Sequence, residues 1–236
     1  MSSVVTSSGA TAVLLGLLAL PLPGSADTET ARHMGAQHDA MKAIQAAIIA
    51  GSLDAAREPA SRLLEQGAPA AGEPANAGYV EAVRLAASDV LAADTLESAA
   101  EAASQLGLAC GACHTANSAT VEFAEVRRPS DKEKERPHMQ RHQWAADRMW
   151  EGLIGPSDDA WSAGVAALAS IDVDTADIGT PEAVQPKVEY LLTRIGELGV
   201  LGGELGSSQE RSAVYGEFLS LCADCHSWTG GGPGVR

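Results

Sequence analysis

Cys110-Gly111-Ala112-Cys113-His114 and Cys222-Ala223-Asp224-Cys225-His226 contain every cysteine of the 236-residue chain. Both are CxxCH. In this spacing two thiols three residues apart can each form a thioether to a haem vinyl group, while the next residue turns its imidazole onto the iron. No thiol is left over for a disulfide network or a second metal centre. Paired CxxC motifs also build structural zinc sites, and a single CxxC can be a thioredoxin-like redox pair. Zinc would not require histidine directly after the second cysteine in both copies, and the redox pair would sit in a βαβ context for which no strand run is found. The motifs therefore predict two covalently bound haem c groups. Cys110, Cys113, Cys222 and Cys225 are the attachment points, and His114 and His226 the proximal metal ligands.

Working outward from the pentads, the chain repeats itself. His33-Met34 and His38 answer His138-Met139 and His142 at an offset of 104 to 105 residues, and the pentads answer each other at 112. Gly51-Ser52-Leu53-Asp54-Ala55-Ala56 aligns with Gly155-Pro156-Ser157-Asp158-Asp159-Ala160. The joint is the charged, proline-bounded stretch 127–137, read as a linker or short solvated turn. Each half has helical periodicity. His38, Met41, Ile44, Gln45 and Ile48 mark a first helix, and an Asp54 cap opens a second through Pro59, Ala60, Leu63 and Leu64. A loop follows from Gly67 to Gly78. Val80, Val83, Leu85 and Leu91 mark a third helix, and Leu96, Ala99, Ala103 and Leu106 a fourth that runs into Cys110. The second half predicts helices from about His138 to Ile154, from a Ser157 cap through Trp161, Val165 and Leu168, from Glu182 to Val200, and from Gln209 to Cys222, with a polar loop at 172–180. The expectation is an all-α chain of two tandem antiparallel four-helix bundles, each carrying one covalent haem. Its segments are 1–26, 27–126, 127–137, 138–228 and a flexible tail at 229–236.

Residues 1–26 carry no Lys, Arg, Asp or Glu. An apolar run from Ala12 to Leu22 precedes Pro23-Gly24-Ser25-Ala26, the order of a secretory signal peptide, so a periplasmic protein beginning near Asp27 is expected. The formal charge of −15 thus lies outside this leader. Such a surface disfavours nucleic acid and anionic lipid and suits redox partner proteins with a positive docking face; it serves general solubility equally. No transmembrane segment is expected in the mature chain, and a homodimer is possible on sequence grounds.

Four-helix units with CxxCH at the end of the last helix resemble cytochrome c′ and its low-spin relatives. The resemblance covers almost the whole mature chain, specific at the haem motifs and architectural elsewhere; the tandem duplication departs from the family's single-unit form. In an up-down-up-down bundle the first helix begins where the fourth finishes, so His38 and His142 become candidate distal ligands. The resemblance implies Met34 and Met139 as the alternative, because low-spin relatives place a methionine ligand early in helix one; an open position is the third possibility. His33 and His138 read as capping or surface side chains. Arg32, Arg136 and Arg141 could meet propionates but read more simply as exposed salt partners. All four tryptophans fall in the second half, suggesting core filler and a drier second pocket. Two filled distal positions imply single-electron transfer rather than enzyme catalysis. An open position would instead imply binding of NO or CO, or a dihaem peroxidase.

Overall fold

The computed structural model describes residues 25–66, 74–129, 136–170, 175, 180–230 and 232, with the backbone alone at 25–28, 74 and 136–138. Residues 1–24 of the expected 1–26 leader, the linker centre at 130–135, and parts of both loops and of the tail lie outside the described residues, as does the side chain of His138. Eight helices are described: α1 (Ser25–Ile49), α2 (Leu53–Gln66), α3 (Ala77–Ala92), α4 (Leu96–Ala116), α5 (Arg136–Ile154), α6 (Asp158–Ala169), α7 (Gln185–Glu204) and α8 (Ser208–Thr229). Short 3-10 turns at Pro74–Asn76 and Glu182–Val184 precede α3 and α7. Among the described residues there is no strand, so the all-α expectation holds.

Several boundaries differ from the sequence reading. α1 begins by Ser25, so Met34 lies more than two turns inside it rather than at a frayed start. Gly78 belongs to α3, and Arg136 and Pro137 to α5. α4 and α8 carry their whole pentads within the helix, α8 running on to Thr229. The second helix is capped by Ser52, whose Oγ accepts from the Ala55 amide at 3.3 Å, and not by Asp54, which pairs with Arg57. Ser157 caps α6 as expected, accepting from Ala160 N at 3.2 Å. The two caps are 105 residues apart, which shifts the alignment of the turns by one: Gly51 matches Pro156.

Helices α4 and α8 open with matching devices. Thr95 and Ser98 form a reciprocal capping box, as do Ser207 and Glu210, each satisfying amides of the first turn that have no partner within the helix. These starts are 112 residues apart, the same offset as the pentads.

Contacts run from α1 to α2 to α3 to α4 and from α5 to α6 to α7 to α8, with α1 touching α4 and α5 touching α8. The two series join where α4 packs on α8 and α5, and where α1 packs on α8. Buried apolar residues of both halves form a single cluster. Small residues make this joint possible. A Cβ at Gly107 of α4 would lie 2.7 Å from Trp150 Cζ3, and one at Gly111 would lie 2.1 Å from the Leu153 carbonyl oxygen. Across α4 and α8, Ser104 faces Gly216, whose Cβ would stand 3.0 Å from Ser104 Oγ. Polar bonds follow the same seam: Gln105 donates to Ser212 Oγ at 3.2 Å, Ser212 to Ser104 Oγ at 3.1 Å, and Gln45 of α1 to the buried Tyr215 hydroxyl of α8.

Trp150 and Trp161 are core residues, and Trp161 Nε1 donates to Gly202 O at 2.8 Å. Trp150 fills space against α4 of the first half, so it is not confined to a second-half pocket. Trp228 departs from the core-filler expectation: it is exposed, with the Lys187 ammonium 5.2 Å from its ring centroid.

Three outcomes follow for stability. Gly107→Val inserts bulk against Trp150 and should cost about 1–3 kcal/mol in urea unfolding. Gly35→Ala, with nothing within 4 Å of its Cβ position, should instead gain up to about 1 kcal/mol. The Ser207 hydrogen bonds hold the Glu210 carboxyl below its ordinary value. Its contribution is therefore present above the unfolded carboxyl pKa and lost as pH falls through the depressed folded one. Thermal melts of Glu210→Gln and the parent chain should differ at pH 7 and converge in acid.

Candidate haem-attachment sites

The first pentad occupies the last two turns of α4. Cys110 turns its thiol inward, where burial and the neighbouring Cys113 push its pKa up to about 12. Cys110 Sγ lies 3.7 Å from Met41 Sδ on α1. Cys113 is nearer the surface, and its pKa is raised by burial. Asn117 fastens this helix end, its Nδ2 donating to Cys113 O and to Asn76 Oδ1 at 2.9 Å each. The chain then leaves the helix through Ser118, at φ +49°, into the segment that carries Phe123.

His114 is tied outside its own half. Its Nδ1 lies 2.5 Å from the carbonyl oxygen of Ile154, at the end of α5. A carbonyl can only accept, so Nδ1 is the donor here, and in the neutral ring that tautomer puts the lone pair on Nε2. The second pentad mirrors this: His226 Nδ1 donates to the carbonyl of Ile49, at the end of α1. Cys222 is buried and its pKa strongly raised, by desolvation first and Cys225 second. Cys225 is raised by desolvation as well. Gly230, at φ +69°, ends α8 and donates to His226 O at 2.9 Å. Within the expected flexible tail, Gly232 sits close enough to Ala50 and the His226 ring that a Cβ would stand 3.1 and 3.2 Å from their atoms.

Along α1, Met34, His38, Met41 and Gln45 share a face at three- and four-residue spacing. Met41 meets Cys110 while His38, one turn earlier, stands 6.0 Å by ring centroids from Phe123, which follows α4. α1 and α4 therefore run in opposite senses. His38 lies beside the chain leaving the first pentad, at mid-helix rather than near the helix start. Burial, ahead of Lys42, lowers its pKa and favours the neutral imidazole that a metal requires. His33, read as a capping or surface residue, has its Nε2 enclosed without a hydrogen-bond partner.

On α5, His142 and Arg141 are buried and Met139 is partly buried. Arg32 forms the exposed pair expected of it, with Glu29 at 3.9 Å. The side chain of Arg136 lies outside the described residues. The halves are not copies, because the positions answering Met41 are Ala145 or Ala146.

Among the described residues, no three His, Cys, Asp or Glu side chains gather into a metal-holding group. The donor set does fit haem c: two thiols and an imidazole on one helix end, each imidazole with Nδ1 occupied and Nε2 available. Met41, Phe123 and the two isoleucine carbonyls were missed by sequence reasoning. Main-chain carbonyls leave no residue signature, although Gly51 after Ile49 hinted at a helix end. No protein-family model matches the chain, and no curated protein or solved structure matches it either.

The burial difference within each pair is measurable. In chain purified without haem, iodoacetamide at neutral pH should label Cys113 and Cys225 before Cys110 and Cys222, which stay protonated and enclosed. Peptide mass mapping gives the order, and equal rates would contradict this packing.

Proposed function

We propose that this chain is a c-type cytochrome. More particularly, we read it as an exported, periplasmic dihaem electron carrier made of two tandem four-helix units, similar to cytochrome c′ relatives. The observation that carries the reading is the state of the two CxxCH histidines, each with Nδ1 bound to a carbonyl and Nε2 left as the metal donor. Covalently held haem supplies reversible one-electron chemistry at iron. The chain's own residues do the rest. Cys110, Cys113, Cys222 and Cys225 would fix each group to a helix end, and His114 and His226 would supply imidazole ligands to it.

His38 and His142 are the favoured distal ligands, with Met34 and Met139 as the alternative. Three features support the first-half assignment: burial lowers the pKa of His38, the ring lies beside Phe123, and it shares the face of α1 that meets Cys110. The acidic surface, −15 in formal charge, favours encounter with positively charged redox proteins and makes that encounter salt-sensitive.

Intact-mass measurement of the exported protein should find two haem additions, and Cys222→Ala with Cys225→Ala should remove one. Ferric and dithionite-reduced spectra should be low-spin and unchanged by carbon monoxide. His38→Ala should make one of the two haems carbon monoxide-reactive. A chain without added mass ends the cytochrome reading, and rapid carbon monoxide binding by the unaltered protein moves it to gas binding or peroxide chemistry.

A further inference from the structure

We infer that each half of the chain positions the proximal histidine of the other: the Ile154 carbonyl orients His114, and the Ile49 carbonyl orients His226. This rests on both histidines being haem ligands. The last four carbonyls of a helix have no partner within it. At the end of α1 the capping turn uses three of them. Ala50 N donates to Ala46 O at 2.9 Å, Ser52 N to Ala47 O at 2.9 Å and Gly51 N to Ile48 O at 2.8 Å. This is the double bond pattern of a Schellman cap, with Gly51 left-handed at φ +73°. The next carbonyl, that of Ile49, is left over and is the one His226 takes.

α5 ends with two of these three bonds: Gly155 N donates to Glu151 O at 2.9 Å and Ser157 N to Gly152 O at 3.1 Å, while Pro156 has no N–H to donate, so the carbonyls of Leu153 and Ile154 both remain and His114 takes the second. Ile49 and Ile154 are 105 residues apart, the offset of the capping serines, while the histidines keep the 112 of their own helices. Two independent offsets thus meet in one reciprocal pair of bonds.

The approach is tight at the first pentad, where a Cβ at Gly111 would strike the Leu153 carbonyl at 2.1 Å; at the second, Gly51 stands in ordinary contact range, its Cβ position 3.5 Å from Ala223 O. A carbonyl on Nδ1–H fixes the imidazole tautomer and orientation and raises its basicity as a ligand. The group bound in one half therefore has its electronic environment set partly by a helix end of the other half, and disturbance should cross between halves.

The test uses the full dihaem protein, reduced, with carbon monoxide added if a position is open, so that both irons are diamagnetic. Proton NMR should show nuclear Overhauser effects from the His226 ring N–H to Ile49 and Ala50, and from the His114 ring N–H to Ile154 and Gly155. Gly51→Val, which strains the left-handed turn, should speed exchange of the His226 ring proton about tenfold and raise the midpoint potential of the haem on Cys222 and Cys225. The His114 signals and the other midpoint should not move, although Gly51 belongs to the half containing His114. Gly51→Ala, a milder change, should shift the same signals less, and together with the parent spectra it decides the matter if the valine variant does not fold. Effects from each ring only to its own half, or a Gly51 change confined to the first haem, would overturn the inference while leaving the cytochrome reading intact. Absence of covalent haem by mass would instead remove the reading on which it rests.

Discussion

The close approach of α4 to α5 and α8 is the constraint on which the rest depends. α4 buries Ala99, Ala100, Ala102, Ala103 and Ala109 and has Gly107 and Gly111 where neighbouring helices come nearest. Each side chain is too small to bury much area alone, but small side chains let main chains meet, and only then can a carbonyl at the end of one helix reach an imidazole on another. Ser104 and Gly216, positions 112 residues apart in the repeat, touch each other. Two equivalent positions in mutual contact place this crossing beside an approximate two-fold relation between the halves.

That relation shapes how the halves share their core. Gln45 and Trp150 are matched at the 105-residue offset, and both meet Tyr215: one by a hydrogen bond to its hydroxyl, the other by a ring contact at 5.7 Å. A buried tyrosine hydroxyl needs a partner, and an aromatic face needs apolar cover. The two related helices have each taken one of these tasks. Lys42 of α1 and Asp147 of α5 form a half-buried ion pair across the same seam. Symmetry of backbone therefore coexists with divergence of side chains, and Met41 beside Cys110, answered by alanine in the second half, belongs to the same pattern.

Much of this was legible in the residues. The pentads, their spacing and the periodic apolar positions indicated helices ending in CxxCH, and the serine at 157 was correctly read as a cap. The Asp54 misreading has a local cause: aspartate in a first turn suits the helix dipole as well as a cap does, and only the hydrogen bond distinguishes Ser52. The polar beginning of α1, Asp27 to Arg32, lacks an apolar stripe although the backbone there is helical, so periodicity does not mark where the helix starts.

By itself the sequence determined where the thiols and imidazoles of the two pentads fall, that the chain is helical, and that its motifs recur at fixed offsets, because these are properties of residue type and spacing. Tertiary structure decided which proton sits on which nitrogen of His114 and His226, and that the acceptor in each case comes from the opposite half. Those bonds are made by main-chain carbonyls, which every residue possesses. Only the packing of α4, α5, α1 and α8 selects Ile49 and Ile154 from all the others.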